Sequence, residues 1–122
     1  MKNEEAIRYL ANIYQVLASD NEVERDEERL FEAISREIHA GYSERRQAME
    51  LAASQPIQTQ VSARWSERIR NLEDMIFAAY RNGVLDPSEK KPIVEYAMSL
   101  GIDQPHLNLI KNEAKQRHEE AG

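Results

Sequence analysis

The feature that most constrains this chain is a helical pattern of apolar residues that returns after 62 positions. In the first copy the apolar residues recur every three or four positions, which gives a helix one buried face. These residues are Ile7, Leu10, Tyr14 and Leu17. Their counterparts 62 positions later are Ile69, Leu72, Ile76 and Ala79. With only four glycines and four prolines among 122 residues, the chain is expected to fold as packed helices.

The same offset extends beyond the first helix, and this predicts an internal duplication. Its further pairs are Glu27 with Glu89, Phe31 with Ile93, and Ile38 with Leu100. We therefore predict an all-α, single-domain helical bundle over residues 1–122. It is expected to consist of two pseudo-repeated three-helix halves, at about 4–53 and 57–117. This length is sufficient for one buried core.

Glycines predict where the second and fifth helices end. Gly41 is expected to adopt the positive φ angle that ends a helix, and Ser43 is expected to cap the third helix. Gly101 is expected to end the fifth helix, and Asp103 to cap the sixth. Because Gly41 then aligns with Gly101, the match between the halves is expected to slip by two residues at this point.

The fourth and fifth helices also have predicted starts. The fourth is expected to begin between residues 56 and 61, with Trp65 on its buried stripe. The fifth is expected to have Asp86 as its N-cap and Pro87 at its first position, and Glu89 can close a capping box.

Charge and composition exclude several classes of protein. The 22 acidic and 16 basic residues give a net charge of −6, which disfavours binding to a nucleic-acid backbone. There is no cysteine, so disulfides and thiolate metal sites are excluded. The polar start is unlike a secretory signal, and no apolar run approaches the roughly 20 residues of a spanning helix. We predict a cytoplasmic protein, with any association to the inner membrane peripheral.

The most unusual local feature is an acidic stretch at residues 19–28, between the first two helices. Six of its ten residues are carboxylates: Asp20, Glu22, Glu24, Asp26, Glu27 and Glu28. A copy with fewer charges follows at residues 81–90, where the acids are Asp86 and Glu89. Like charges this close repel one another by more than helix capping requires, so the first turn is a candidate binding site.

Both turns match the second half of an EF-hand calcium loop, including its closing glutamate. The first half is missing, because its first two side-chain ligand positions fall on Val16 and Ala18 in one turn and on Ala78 and Tyr80 in the other. An EF-hand is therefore excluded, and any metal site must be built differently. The one cofactor that we expect is a weakly bound divalent cation, Ca²⁺ or similar. Its candidate ligands are Asp20, Glu22, Glu24, Glu27, Asp86 and Glu89.

Two other interpretations of the acidic turn stay open. Carboxylates in the first turn of a helix interact favourably with the positive end of its dipole, so they can be ordinary helix-start residues. They can also form a docking surface for a basic partner. The candidate docking residues are Asp20, Glu22, Asp26 and Glu28.

No catalytic motif is recognisable, and no catalytic residue is predicted. His39, His106 and His118 are isolated, without a second histidine or a cysteine at ligand spacing. Phosphate-binding loops, zinc-protease motifs and nucleophile elbows are absent from the sequence. Tyr9 and Tyr42 are expected to be partly exposed. A non-enzymatic protein is therefore predicted; an enzyme is the remaining alternative, and it would require a pocket that pairs a histidine with carboxylates.

The segments ASDNEV at residues 18–23 and NGVLDPSE at residues 82–89 resemble the repeated acidic turn of TerB-like domains. This family includes the tellurite-resistance TerB proteins and the central region of DjlA-type co-chaperones. The resemblance implies a cytoplasmic, bacterial, all-α bundle without enzymatic activity, linked to stress responses such as tellurite and phage resistance. It also implies divalent-metal binding by the acidic turns and association with membrane-protein partners.

Carried over position by position, the family's metal candidates are Asp20, Glu22, Glu27, Asn82, Asp86 and Glu89. This chain departs from the family pattern at Asn21, where glycine is usual. It also departs at Asn82, where aspartate is usual, and at Val84, where an acid is common. The second turn has therefore lost charge.

The predicted function is a TerB-like stress-response module that presents its acidic turn to a divalent cation or a protein partner. The alternative is an acidic adaptor or inhibitor that binds a basic partner surface without metal. The expected partner is a protein, membrane-associated if the family's behaviour applies here. A homodimer is also within the prediction, whereas nucleic acid is not expected.

Overall fold

The computed structural model describes residues 1–19, 23–80 and 87–121, and it confirms the all-α prediction. Within these ranges the chain forms six helices and no strand. The helices are α1 (Asn3–Leu17), α2 (Arg25–Glu37), α3 (Tyr42–Ser54), α4 (Trp65–Ala79), α5 (Pro87–Ser99) and α6 (Gln104–Ala121). None of the helices in these ranges is both long and apolar enough to cross a membrane.

The helix bounds keep the 62-residue offset of the sequence. α1 and α4 each have 15 residues and begin 62 positions apart, and α2 and α5, with 13 residues each, do the same. α3 and α6 also begin 62 positions apart, at Tyr42 and Gln104. These bounds fit a duplicated three-helix unit, and the duplication itself stays a prediction.

The expected slip by two residues after α2 is wrong. His39 has a positive φ of 59°, and Gly101, 62 positions later, has a φ of 74°. Gly41 instead has a φ of −95° and is the N-cap of α3, so Ser43 does not cap that helix. The Gly41 N–H donates to Glu44 Oε2 at 3.0 Å. The sequence misleads here because glycine is the usual residue in the left-handed region, whereas histidine is also tolerated there.

α1 and α4 are the two helices with the most buried faces. α1 packs against α3 and α4, α4 packs against α6, and α5 contacts both α1 and α4. Large, fully buried side chains on these two helices are Leu10, Ile13, Val16, Leu17, Leu72, Met75 and Ile76. Each such side chain contributes about 1.5–3 kcal/mol when it is buried. The two apolar stripes found in the sequence are therefore a main source of stability.

A buried polar network joins α1 to α4, and it corrects the expectation that Tyr9 is partly exposed. Tyr9 is fully buried, and its hydroxyl donates to Asp74 Oδ2. Asn71 Nδ2 donates to the Tyr9 carbonyl at 3.0 Å, and Asn12 Nδ2 donates to Asn71 Oδ1 at 2.8 Å. These hydrogen bonds fix the register of the two helices, because a shift would leave buried polar groups without partners.

Asp74 is a buried carboxyl within this network, only 6% exposed. Burial raises the pKa of Asp74 above its usual value, although the Tyr9 hydrogen bond and the charge of Arg70 act in the opposite direction. Burial also raises the pKa of Tyr9, and the neighbouring Asp74 charge adds to this shift.

One face of α1 holds the segment that connects α3 to α4. Asn12 Oδ1 accepts from the Gln58 N–H at 2.7 Å, and Asn12 Nδ2 donates to the Gln58 carbonyl at 2.8 Å. Two further contacts join Gln15 Nε2 to the Gln55 carbonyl at 2.5 Å and Arg8 Nε to the Val61 carbonyl at 3.3 Å. The middle of the chain is therefore attached to α1 at three points.

α4 begins later than the sequence predicts. Val61 is fully buried, but it lies in the connection and not on the helix. The Arg64 N–H donates to Ser62 Oγ at 3.1 Å, and local bonds of this kind compete with helix formation. Trp65 is the first residue of α4 and is 53% exposed. The prediction that Trp65 belongs to the core is therefore wrong.

Candidate functional site

The start of α2 shows how part of the acidic turn is built. Glu24 precedes the helix, and its N–H donates to Glu27 Oε1 at 3.2 Å. This is the contact of a capping box, in which a first-turn glutamate returns to the residue before the helix. Glu27 is only 1% exposed. Its carboxylate therefore belongs to the helix start and not to the protein surface.

The other described acids of this turn face solvent. Glu24, Asp26 and Glu28 are exposed, in or beside the first turn of α2. Because Glu27 already makes the capping contact, capping does not account for all of this charge. Asp20 and Glu22, the remaining acids of the turn, lie outside the described residues.

In the second turn, Glu89 is the one predicted ligand within the described residues, since Asn82 and Asp86 lie outside them. Glu89 is 4% exposed and lies in the first turn of α5, as Glu27 does in α2. Across the described part of the chain, no group of three or more His, Cys, Asp or Glu side chains could hold a metal ion. A metal site completed by the other predicted ligands stays a prediction.

A groove of about 420 Å³ lies between α2 and α3, and we call it the aromatic groove. Its apolar lining consists of Tyr14, Phe31, Tyr42 and Met49. The Tyr14 and Phe31 rings meet edge to face with their centroids 5.3 Å apart. Tyr42 is 71% exposed and Met49 is 40% exposed. The groove thus has a packed aromatic floor and an exposed apolar rim. Burial is the main cause that raises the pKa of the Tyr14 hydroxyl, and the nearby charge of Glu28 adds to the shift.

The two edges of the aromatic groove carry opposite charges. α2 contributes Glu28 and Glu32, and α3 contributes Arg45 and Arg46. The Arg45 guanidinium lies 5.8 Å from the centroid of the Tyr42 ring. Glu28 and Glu32 are four residues apart and are therefore neighbours on the surface of α2, whereas Arg45 and Arg46 are consecutive in α3. Each edge carries charge of one sign.

The positions 62 residues later have different side chains. Glu28, Glu32, Arg45 and Met49 are replaced there by Lys90, Val94, Leu107 and Lys111. Leu107 is 2% exposed, so a buried side chain replaces one of the edge arginines. The opposite charges and the aromatic rim are therefore features of the first half, and they do not follow from the matching helix bounds.

A second groove, of about 520 Å³, adjoins the acidic turn at Ser19. Tyr14 lines this groove as well as the aromatic groove. Its other apolar side chains are small or compact: Ala18, Ala52, Ala53, Pro56, Ile57 and Pro92. Lys91 and Glu95 are the charged residues of its lining. Gln15 and Ser19 are its uncharged polar residues.

Sequence reasoning missed the aromatic groove, although a signal for it exists. Tyr42, Arg45, Arg46 and Met49 follow the spacing of one helix face. The apolar pattern predicts Met49 on the same buried stripe as Ala48, but Met49 is 40% exposed and only Ala48 is fully buried. Tyr42 is exposed, as the sequence predicts.

Comparison with family models, curated proteins and solved structures finds no match for this chain. Membership of the TerB-like family therefore stays a prediction from the two turn motifs.

Proposed function

We propose that this chain is a non-enzymatic, TerB-like stress-response module that docks a basic protein partner on its first acidic turn. One observation carries the proposal: Glu27 is buried in the capping contact, whereas Asp26 and Glu28 on either side of it face solvent. Exposed like charges repel one another in the free protein, and a cationic partner relieves that repulsion.

The charge of the whole chain supports the same partner chemistry. A net charge of −6 attracts cationic surfaces over a distance of about one Debye length, roughly 10 Å at 0.1 M salt. Docking by this mechanism weakens as salt concentration rises, mainly through a slower association rate. The resemblance of both turns to TerB-like domains supports the setting in stress response.

Divalent-cation binding is the competing version of the proposal. If Glu27 is one of its ligands, this carboxylate, which accepts the Glu24 N–H, must turn from its buried position toward the ion. Loss of a capping interaction costs about 1 kcal/mol. Partner docking on Asp26 and Glu28 needs no such rearrangement, so the geometry favours docking.

The test is affinity capture of proteins from a lysate of the source cells. The docking variant is D20N/E22Q/D26N, which neutralises three acids of the turn and leaves Glu28 in place. The matched control is E4Q/E113Q/E119Q, which neutralises three acids that are exposed elsewhere. We expect the wild type and the control to retain the same basic protein. The docking variant should not retain it, and high salt should release it from the wild type.

Equal capture by the docking variant and the wild type would falsify the docking proposal. Melting curves in millimolar Ca²⁺, Mn²⁺ or Zn²⁺ separate the two versions. If an ion raises the melting temperature of the wild type but not that of the docking variant, the acidic turn is a metal site, and this site replaces the docking surface in the proposal.

A further inference from the structure

We propose that the aromatic groove is a self-association surface, which the same face of a second copy of this chain occupies in a two-fold symmetric dimer. The proposal shares Glu28 with the acidic turn, but it otherwise rests on the α2–α3 face and needs no other protein.

Most side chains of the groove are of types that interfaces favour. Tyrosine, phenylalanine, methionine and arginine are enriched at the centres of protein interfaces, whereas lysine and glutamate are depleted. Glu28 and Glu32 are the exceptions in this lining. The groove combines the exposed rings and thioether of Tyr42 and Met49 with Arg45 and Arg46. An apolar rim of this kind is costly to leave in water, and a partner that covers it removes that cost.

One face of α3 contributes this rim. Residues 42, 45, 46 and 49 follow the spacing that places side chains along one side of a helix. Ala48, in the same helix, is fully buried. α3 therefore uses its other side for the core against α1.

The charges of the groove identify the occupant. In a two-fold symmetric contact, the same patch serves both subunits and must complement itself. The acidic edge, Glu28 and Glu32, faces the basic edge, Arg45 and Arg46, across the groove. When the two-fold axis runs along the groove, each acidic edge lies over the basic edge of the other copy. An axis across the groove would instead pair like charges.

The charge balance within the groove permits the approach of a second copy. The chain has a net charge of −6, so most apposed surfaces of two copies repel each other. The groove lining carries two acids and two arginines, and Arg46 also pairs with Glu50 at 3.5 Å in an exposed, weak ion pair. The charge of this face is therefore much closer to balance than that of the whole chain, which allows close approach. Because stable interfaces bury about 800 Å² on each partner, a contact limited to two short helices is expected to give a weak dimer, in the micromolar range.

The test is sedimentation equilibrium of the purified full chain from low micromolar to millimolar concentration. We expect the wild type to pass from monomer to dimer across this range. Reversal of the acidic edge by E28K/E32K, or of the basic edge by R45E/R46E, should raise the dimer dissociation constant by at least about tenfold, since like charges then face each other.

Mixing the two variants provides the decisive measurement. One variant has four basic edge residues and the other has four acidic ones, so an equimolar mixture should form a heterodimer that neither forms alone. The variant that carries all four reversals should dimerise again. Circular dichroism checks that each variant is folded, and Tyr42→Ser, at a largely exposed position, weakens the dimer without any change of charge.

Controls change the same charge at exposed positions away from the groove. E113K/E119K matches the reversal of the acidic edge, and K90E/K91E matches that of the basic edge. Both should dimerise like the wild type. A wild type that stays monomeric throughout, edge variants that dimerise unchanged, or a mixture without heterodimer would each overturn the proposal.

Discussion

His39 and Gly101 occupy equivalent places after α2 and α5, with φ angles of 59° and 74°. A side chain with a Cβ atom pays about 1–2 kcal/mol in this left-handed region. We therefore expect His39→Gly to raise the free energy of unfolding, by up to about 1 kcal/mol after the added flexibility of the unfolded chain is subtracted. Urea denaturation measures the change.

Gly101→Ala is the matched control for this prediction. A Cβ atom at Gly101 meets no heavy atom within 4 Å, so the substitution adds backbone strain without a steric clash. It should lower the free energy of unfolding by about 1 kcal/mol. The two substitutions must change the free energy of unfolding in opposite directions. A destabilised His39→Gly variant would show that the His39 side chain stabilises the fold by more than its backbone conformation destabilises it.

Asp74 gives a second prediction at the scale of one residue. Burial raises the folded-state pKa of Asp74 above its usual value of 3.8. The folded state then binds the proton more tightly than the unfolded state does. The resulting stabilisation is full at low pH and is lost as the pH rises through the folded-state pKa. Asp74→Asn removes this titration, so its unfolding free energy should fall less than that of the wild type between about pH 4 and pH 8.

Asp103 is the control of opposite sign. The His106 backbone N–H and then its side chain lower the pKa of Asp103 below 3.8. The stabilisation of the fold by the Asp103 carboxylate is therefore complete above the usual pKa of 3.8 and is lost as the pH falls through the folded-state pKa. Asp103→Asn should therefore reduce the loss of stability in acid, in contrast to Asp74→Asn. Similar pH profiles for the two variants would argue against the burial of Asp74.

The start of α5 is predicted correctly from the sequence, whereas the starts of α3 and α4 are not. Pro87 begins α5, because the preference of proline for the first helical position acts locally. The sequence fails where tertiary contacts decide. Val61 fits a helical stripe, but its carbonyl accepts from Arg8, and α4 begins four residues later. Opposing edges of the aromatic groove come from two helices, so their proximity is not visible in the sequence.

Within α2, the capping contact predicts a division of roles among neighbouring acids. Glu27→Ala removes the acceptor for the Glu24 N–H and empties a buried position. It should lower the free energy of unfolding by about 1–2 kcal/mol. Glu28→Ala, at an exposed site, should change it by less than about 0.5 kcal/mol. Thermal or urea unfolding distinguishes them, and equal effects would contradict the assignment of Glu27 to the helix start.

At the scale of the whole molecule, the Asn12 side chain joins three parts of the fold: α1, α4 and the connection between α3 and α4. It bonds Asn71 on α4 and both backbone groups of Gln58 in the connection. Asn12→Ala leaves a buried acceptor and the Gln58 N–H without these partners, which costs about 1–3 kcal/mol. We expect faster cleavage within residues 55–64 in limited proteolysis. Gln15→Ala, whose bonds go to exposed or half-buried carbonyls, should have a smaller effect.

The three attachments between α1 and the connection have a consequence for motion and for engineering. In the sequence, the proline and glutamines between the halves indicate a bend and not a flexible linker. The backbone there is bonded to Arg8, Asn12 and Gln15, which hold it against α1. Relative rotation of the halves would first have to break these bonds, so a new chain end or an inserted domain belongs at another loop.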